Sequence, residues 1–247
     1  MGNALLQSIV VVDMSTNASV EYSRAPYAAP AHPRDVSTIA ILGAGRVGTA
    51  LARGLVEAGF DVRVAGPGNP DQISLIVEVV APGAQALSAA DAVAGADLVI
   101  VAVPLHKIAT VDPSLLNGTL VVDVMNYWEP IDGHIPRFAE APEGTSAIVA
   151  RMFPGAQVVK TLNHIGYHDI ESDRREPGDV GRRALAVASD HAEAAATVMM
   201  VIDKLGFDPI YAGDLADGVV LEAGGGVFGV RLDRDGFVGL LDEGRAR

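Results

Sequence analysis

Short apolar runs alternate with helical stripes along most of the chain. Residues 37–42 (STIAIL) form an apolar run that ends at a glycine, the pattern of a strand buried on both faces. Val47, Leu51, Leu55 and Val56 then fall on one helical stripe that stops at Gly59. Residues 61–65 predict a second strand, 70–80 a helix and 85–87 a weak third strand. A short helix over 88–94 follows, with Ser88 as its N-cap. Residues 97–104 (DLVIVAVP), 119–124 and 156–160 read as further buried strands, with a helix over 146–152 between the last two. Beyond Asn163 lies a polar loop interrupted by Gly166, Gly178 and Gly181. A strand over 183–188, a long helix over 191–205, a strand over 209–212 and glycine-rich segments complete the chain. In the long helix Met199 and Met200 lie among Val198, Val201, Ile202 and Leu205, a spacing that speaks for core packing. Strands alternating with helices at short spacing predict right-handed βαβ units, hence an α/β fold with a doubly wound parallel sheet.

Residues 1–36 lack this pattern. Residues 15–34 mix Ser, Asn, Tyr, Pro and Ala without period, and Pro26, Pro30 and Pro33 would interrupt a helix or a central strand. The expected organisation is an N-terminal extension (1–36), a dinucleotide-binding unit (37–163) and a small C-terminal α+β unit (164–247). The extension reads as a flexible arm, or as a product of a start placed ahead of Met14. An arm packed on a partner subunit is the other reading.

Composition narrows the function. The 247 residues carry a net charge of −13, which speaks against a nucleic-acid or anionic-membrane binder, since both need a basic face. The absence of cysteine removes disulfides, thiolate nucleophiles and Cys-ligated metals. No apolar run approaches the roughly 20 residues of a membrane helix, and the first residues lack the basic region of a secretion signal. The expectation is a cytoplasmic protein whose partners are small molecules.

The sharpest local feature is Gly43-Ala44-Gly45-Arg46-Val47-Gly48, set between a buried strand and an amphipathic helix. In that context a GxGxxG run cradles a pyrophosphate. The first glycine permits the tight turn, the second lets backbone reach the phosphates, and the third lets helix and strand pack closely. The helix N-terminus adds free N–H groups and a positive dipole end. The fold class is therefore Rossmann-type. An NAD site would carry Asp or Glu at the end of the second strand, where this chain reads Ala65-Gly66-Pro67-Gly68-Asn69. No carboxylate repels a 2′-phosphate there, and no Arg or Lys grips one. Gly66, Gly68 and Asn69 are the candidate neighbours of the ribose; NADP(H) is permitted there, and NAD(H) is left open.

Five blocks occur in the order seen in one known family. They are the glycine turn, the strand ending Ala102-Val103-Pro104, residues 121–126 (VVDVMN), residues 153–163 (FPGAQVVKTLN), and Ala212-Gly213-Asp214-Leu215 with Glu222. From about Ile39 to Leu241 the chain resembles the NADPH:coenzyme F420 (deazaflavin) oxidoreductases and their dinucleotide-binding relatives. The resemblance implies a Rossmann domain holding NADP(H), a C-terminal unit roofing the carboxyl edge of the sheet, a homodimer, and hydride exchange with a stacked deazaflavin. It places Gly43, Gly45, Arg46 and Val47 at the pyrophosphate, Val103 and Pro104 beside the nicotinamide, and Asn126, Asn163 and His164 in a second pocket. Two departures stand out: Pro67-Gly68 replaces the Ser-Arg that holds a 2′-phosphate, and Val219 stands near the place of a usual Arg.

Other residues offer chemistry. Tyr127 and Trp128, the latter the single tryptophan, follow a buried strand at the ligand-bearing edge. They could stack on a planar heterocycle or simply cap the core. His164, Tyr167 and His168 lie past another strand end. Zinc is disfavoured there, because Gly166 interrupts any helix and no third ligand is evident. A proton-donating or orienting histidine and a plain surface-loop histidine both remain open. Asp169, Glu171, Asp173 and Glu176, interleaved with Arg174 and Arg175, read as a solvated turn. No acid–base constellation is evident, which suits hydride transfer between two planar rings. The alternatives are a dinucleotide sensor without turnover and an imine or hydroxy-acid reductase. The latter would need a long all-helical second domain.

Overall fold

The computed structural model describes residues 11–12, 19–20 and 29–245. Most of the N-terminal extension, and with it the expected flexible arm, lies outside the described residues. Within it, β1 (Val11–Val12) and β2 (Ser19–Val20) form a two-residue antiparallel pair. Its last residues are docked: Arg34 Nε pairs with Glu193 at 2.6 Å, its backbone N–H donates to the Thr197 hydroxyl, and Val36 is buried.

The main sheet and its helices begin with β3 (Thr38–Leu42), α1 (Arg46–Glu57), β4 (Asp61–Ala65), α2 (Asp71–Val80), β5 (Gln85–Ala86), α3 (Ala89–Val93), β6 (Leu98–Val101) and β7 (Leu120–Asp123). They continue with the short α4 (Glu129–Asp132) and α5 (Pro136–Ala139), then α6 (Thr145–Met152) and β8 (Gln157–Lys160). The strand order β5-β4-β3-β6-β7-β8, parallel throughout, places the topological switch between β3 and β6. Strands β6 and β7 are buried at every position, because helices cover both faces of the sheet. One face packs Ile39, Ile41 and Val122 against Leu51 and Leu55 of α1. The other packs Leu42, Val99 and Val121 against Val93 of α3 and Val149 of α6.

The expected run 97–104 stops as a strand at Val101. Pro104 then caps a 3₁₀ helix, Leu105–Thr110, in which Lys107 N–H bonds to the Pro104 carbonyl.

The chain goes on through α7 (Asp169–Ser172), β9 (Ala184–Ala188), α8 (Ala192–Leu205), β10 (Asp208–Gly213), a 3₁₀ helix (Leu215–Leu221) and α9 (Arg234–Arg245). The expected Rossmann-type α/β sheet is present and mostly parallel, and here it becomes mixed. Strands β9 and β10 join the same sheet, but β9 runs antiparallel to β8. Lys160 pairs with Ala188, the last residue of each strand, so the rest of β9 extends past the carboxyl end of β8. Helix α9 was hidden in the sequence by Gly236, Gly239 and Gly244. It closes a third apolar cluster, with Phe237 and Leu241 against Ala186 and Ile210.

Candidate functional site

The three glycines of the turn do different work. Gly43 has φ +130°, and a Cβ there would lie 2.3 Å from the Ala102 carbonyl oxygen, so the turn rests on the end of β6 across the switch point. A Cβ on Gly48 would lie 1.8 Å from the Gly43 carbonyl oxygen, so this glycine lets the helix close on its own turn. Gly45, the N-cap of α1, has nothing within 4 Å of a Cβ position. Its freedom from a side chain serves nothing inside the described fold.

The backbone N–H groups of Ala44, Gly45, Arg46 and Val47 have no acceptor among the described residues, and no acidic residue occupies the first turn of α1. Together these make an open, positively polarised cradle. Arg46 leans away along it: Nη1 is 3.2 Å from the Tyr167 hydroxyl, and the guanidinium lies over the Tyr167 ring. The ring of His168 lies 3.9 Å from that of Tyr167.

At the end of β4, Gly66 packs on Ile73, and Gly68 has φ +82° in the turn that enters α2. The Asn69 side chain accepts the Asp71 N–H and so starts the helix. Arg63 does not reach this place; it donates to the Ala94 carbonyl and lies 3.6 Å from Asp61. Val103 is half-buried and Pro104 exposed beside the turn.

The carboxyl ends of β7 and β8 are joined by side-chain amides. Asn126 Nδ2 donates to the Asn163 carbonyl at 2.7 Å, and Asn163 Nδ2 bonds to Asn126 Oδ1 and to the Leu221 carbonyl. The two aromatics after Asn126 part ways. Tyr127 is a fastener: its hydroxyl donates to the Gly133 carbonyl and accepts the Ile135 N–H, and its ring packs on Phe138. Trp128 is 53% exposed.

The surface-loop reading of His164 is overturned. It is buried, its Nε2 accepts the Ala186 N–H at 3.1 Å, and its ring packs on Phe237. A ring nitrogen that accepts a backbone N–H carries no proton of its own. Burial first, then the charges of Arg183 and Lys160, push the imidazole down to about 3. The solvated turn needs correction too. Asp173 is buried between Arg183 (2.8 Å) and Arg231 (2.9 Å), while Arg174 pairs with Glu57 and donates to the Leu205 carbonyl.

Two constellations were not legible in the sequence. Lys160 and Asp123, both wholly buried, lie 3.6 Å apart; Nζ also donates to the Met125 carbonyl, and Asp123 accepts the Met125 N–H and the Ser146 hydroxyl. His106 Nδ1 lies 2.7 Å from Asp132 Oδ1, and Asp132 Oδ2 accepts the Trp128 N–H. Burial works against ionised Asp132. The Trp128 N–H and the His106 ring and N–H outweigh it, holding the carboxyl below its ordinary value. Strict spacing rules miss both pairs because their members lie 37 and 26 residues apart.

Residues 38–127 match the family described as "NADP oxidoreductase coenzyme F420-dependent". Rat (Rattus norvegicus) metalloreductase STEAP3 is 28% identical over 193 residues, 77% of this chain and 37% of that protein, so the chain spans about a third of this curated relative. Among solved structures, the hypothetical protein SMa0349 of Sinorhizobium meliloti is similar with a TM-score of 0.65 at 28% identity, covering 81% of this chain and 96% of that one. A protein of Arthrobacter sp. FB24 named for an F420-dependent NADP-reductase gives 0.59 at 26% identity, covering 72% and 85%. No helix among the described residues is long and apolar enough to cross a membrane. The matched residues 38–127 carry the glycine turn and both strands of the switch point, so the similarity to the coenzyme F420-dependent NADP oxidoreductases falls on the elements described above.

Proposed function

We propose that this protein holds a nicotinamide dinucleotide on the Gly43–Val47 turn and exchanges hydride with a planar, deazaflavin-type acceptor lying between Pro104 and Trp128. The observation that carries this reading is Gly45. The residue has room for a side chain and lacks one, beside four N–H groups with no internal acceptor. A pyrophosphate accounts for both features at once. Gly43, Ala44, Gly45, Arg46 and Val47 would hold the phosphates, Gly66, Gly68 and Asn69 would border the ribose, and Val103 and Pro104 would border the nicotinamide.

The bound dinucleotide would supply the hydride, so the chain's own task is orientation and exclusion of water. Trp128 offers an exposed flat face for the acceptor, and the Asn126–Asn163 pair fixes the loop that carries it. The amide pair holds the two strand ends in register; Tyr127 anchors the excursion that follows. Tyr167 reaches the same edge through its contact with Arg46. His164, neutral and enclosed, serves as a structural acceptor.

A sensor without turnover is the second reading, favoured by Arg63 turning away from the ribose end and by Pro67-Gly68 standing there. The imine or hydroxy-acid reductase reading loses ground, since β9 and β10 occupy the segment where its all-helical domain would stand. NADPH or NADH mixed with an oxidised 5-deazaflavin gives the test: loss of nicotinamide absorbance supports the oxidoreductase. Tight dinucleotide binding by calorimetry without any turnover supports the sensor. The homodimer belongs to the same proposal and is read by sedimentation velocity.

A further inference from the structure

We propose that His106, held by Asp132, exchanges a proton with the acceptor, so that this site reduces ring systems that must gain a proton as well as a hydride. The inference rests on the oxidoreductase reading and adds to it the group that handles the proton.

The pair is built in layers. The Asp132 side chain is 4% exposed and the His106 side chain 32% exposed, so the imidazole stands between a buried carboxylate and solvent. One carboxylate oxygen meets both Nδ1 (2.7 Å) and the His106 backbone N–H (3.2 Å), which fixes the ring's position and tautomer. Nε2 lies across the ring from that bond and has no partner among the described residues. The other carboxylate oxygen holds the Trp128 N–H at 2.8 Å, so one side chain positions both the imidazole and the loop of the exposed indole.

The place fits the role. His106 follows Pro104 by two residues, in the turn after β6, and β6 forms one wall of the switch point. A neighbouring pair serves as a contrast. His134 lies 3.3 Å from Glu129 on the same excursion, but both side chains are more than half exposed and no backbone donor is shared. That geometry is an ordinary surface contact of little energetic worth. The His106–Asp132 geometry follows the nucleophile-free half of a catalytic triad, a base oriented by a buried acid.

A reduced nicotinamide dinucleotide gives up a hydride, and a C–H bond forms on a conjugated, nitrogen-containing acceptor ring. The displaced electron pair moves to a ring nitrogen, which takes the proton from protonated His106 Nε2. The imidazole is left neutral and is recharged from water. In the reverse direction, His106 removes that proton as the hydride departs. Asp132 is a positioning residue, acting only through the ring.

The full chain with ¹⁵N-labelled histidine tests this without relying on turnover. Addition of an oxidised 5-deazaflavin in the presence of NADP should shift the His106 Nε2 resonance, assigned by its loss in His106→Gln. Asp132→Asn should scramble the tautomer seen at the same ring. In His106→Gln, NADPH affinity should stay within twofold while deazaflavin reduction falls about 100-fold. Imidazole added to His106→Gly should restore part of that rate. Wild-type reduction by His106→Gln would overturn the relay and leave the oxidoreductase reading standing. A wild-type protein that binds NADPH and reduces no acceptor would sink the oxidoreductase reading instead. An Nε2 resonance unmoved by bound deazaflavin overturns the relay whatever the turnover.

Discussion

Gly48 lies directly beneath Gly43: a Cβ on Gly48 would come 1.8 Å from the Gly43 carbonyl oxygen, whereas one on Gly45 would meet nothing. The two outer glycines hold the turn together, and the middle one leaves it open. Gly45→Val should therefore fold with nearly unchanged thermal stability, since its φ of −82° and ψ of −173° suit any residue. Dinucleotide binding, measured by calorimetry, should fall at least tenfold. Gly48→Ala should lower stability by several kcal/mol, of the order of an overpacked core or more. Equal affinity in Gly45→Val and wild type would move the phosphate site elsewhere.

His164 makes stability depend on pH. In the folded chain its pKa falls from 6.5 to about 3, so between these values the unfolded chain binds a proton that the folded chain refuses. Stability from this group is full above about pH 6.5 and is lost as pH falls. At pH 5 the loss is about 2 kcal/mol, taking 1.36 kcal/mol per unit. His164→Gln retains an acceptor for the Ala186 N–H but cannot titrate. Urea unfolding at pH 7 and pH 5 should show a smaller difference in the variant than in wild type; equal differences would mean that His164 is protonated while folded.

Strands β3, β6 and β7 were legible because each is built on a short apolar run, and Ser88 caps its helix as expected, accepting the Asp91 N–H. The direction of β9 was not. An all-apolar run such as ALAVA reads alike in either direction, and its pairing beside Lys160 depends on where the 161–183 loop returns the chain. The site divides in the same way. The glycine turn is local, and its spacing between a buried strand and an amphipathic helix exposed it. His164 looked available because the residue that encloses it, Phe237, comes from a helix masked by glycines. His106 and Asp132 meet only because the loops after β6 and β7 emerge side by side at the sheet's carboxyl edge.

Trp128 is the single tryptophan, which makes it a probe of its own site. Its indole is exposed and its loop is held by Asp132, so its emission should be quenched by a stacking deazaflavin and little changed by a dinucleotide alone. Trp128→Ala should leave stability within about 0.5 kcal/mol, as for exposed positions, and weaken acceptor binding by tenfold or more. Tyr127→Phe differs. It removes a donor and an acceptor used by Gly133 and Ile135, so it should destabilise the fold by about 1–3 kcal/mol. If emission ignores a deazaflavin that calorimetry shows to be bound, the acceptor lies away from this indole.

Lys160 and Asp123 form an ion pair without solvent access, and the loop from Met125 to Trp128 hangs from it. Removing one charge leaves the other buried and unpaired, which costs about 3–5 kcal/mol, whereas replacing both restores a neutral interior. Lys160→Met should therefore lose stability on that scale in urea titrations. Adding Asp123→Asn should recover at least half of the loss, because Asn can still accept the Met125 N–H and can donate to the Ser146 oxygen that now bonds to Asp123. Recovery of stability need not recover the loop's position, since the Lys160 contact to the Met125 carbonyl is absent from both variants. The double variant should thus fold well yet show altered Trp128 emission. Additive losses from the two substitutions would mean that the charges do not interact.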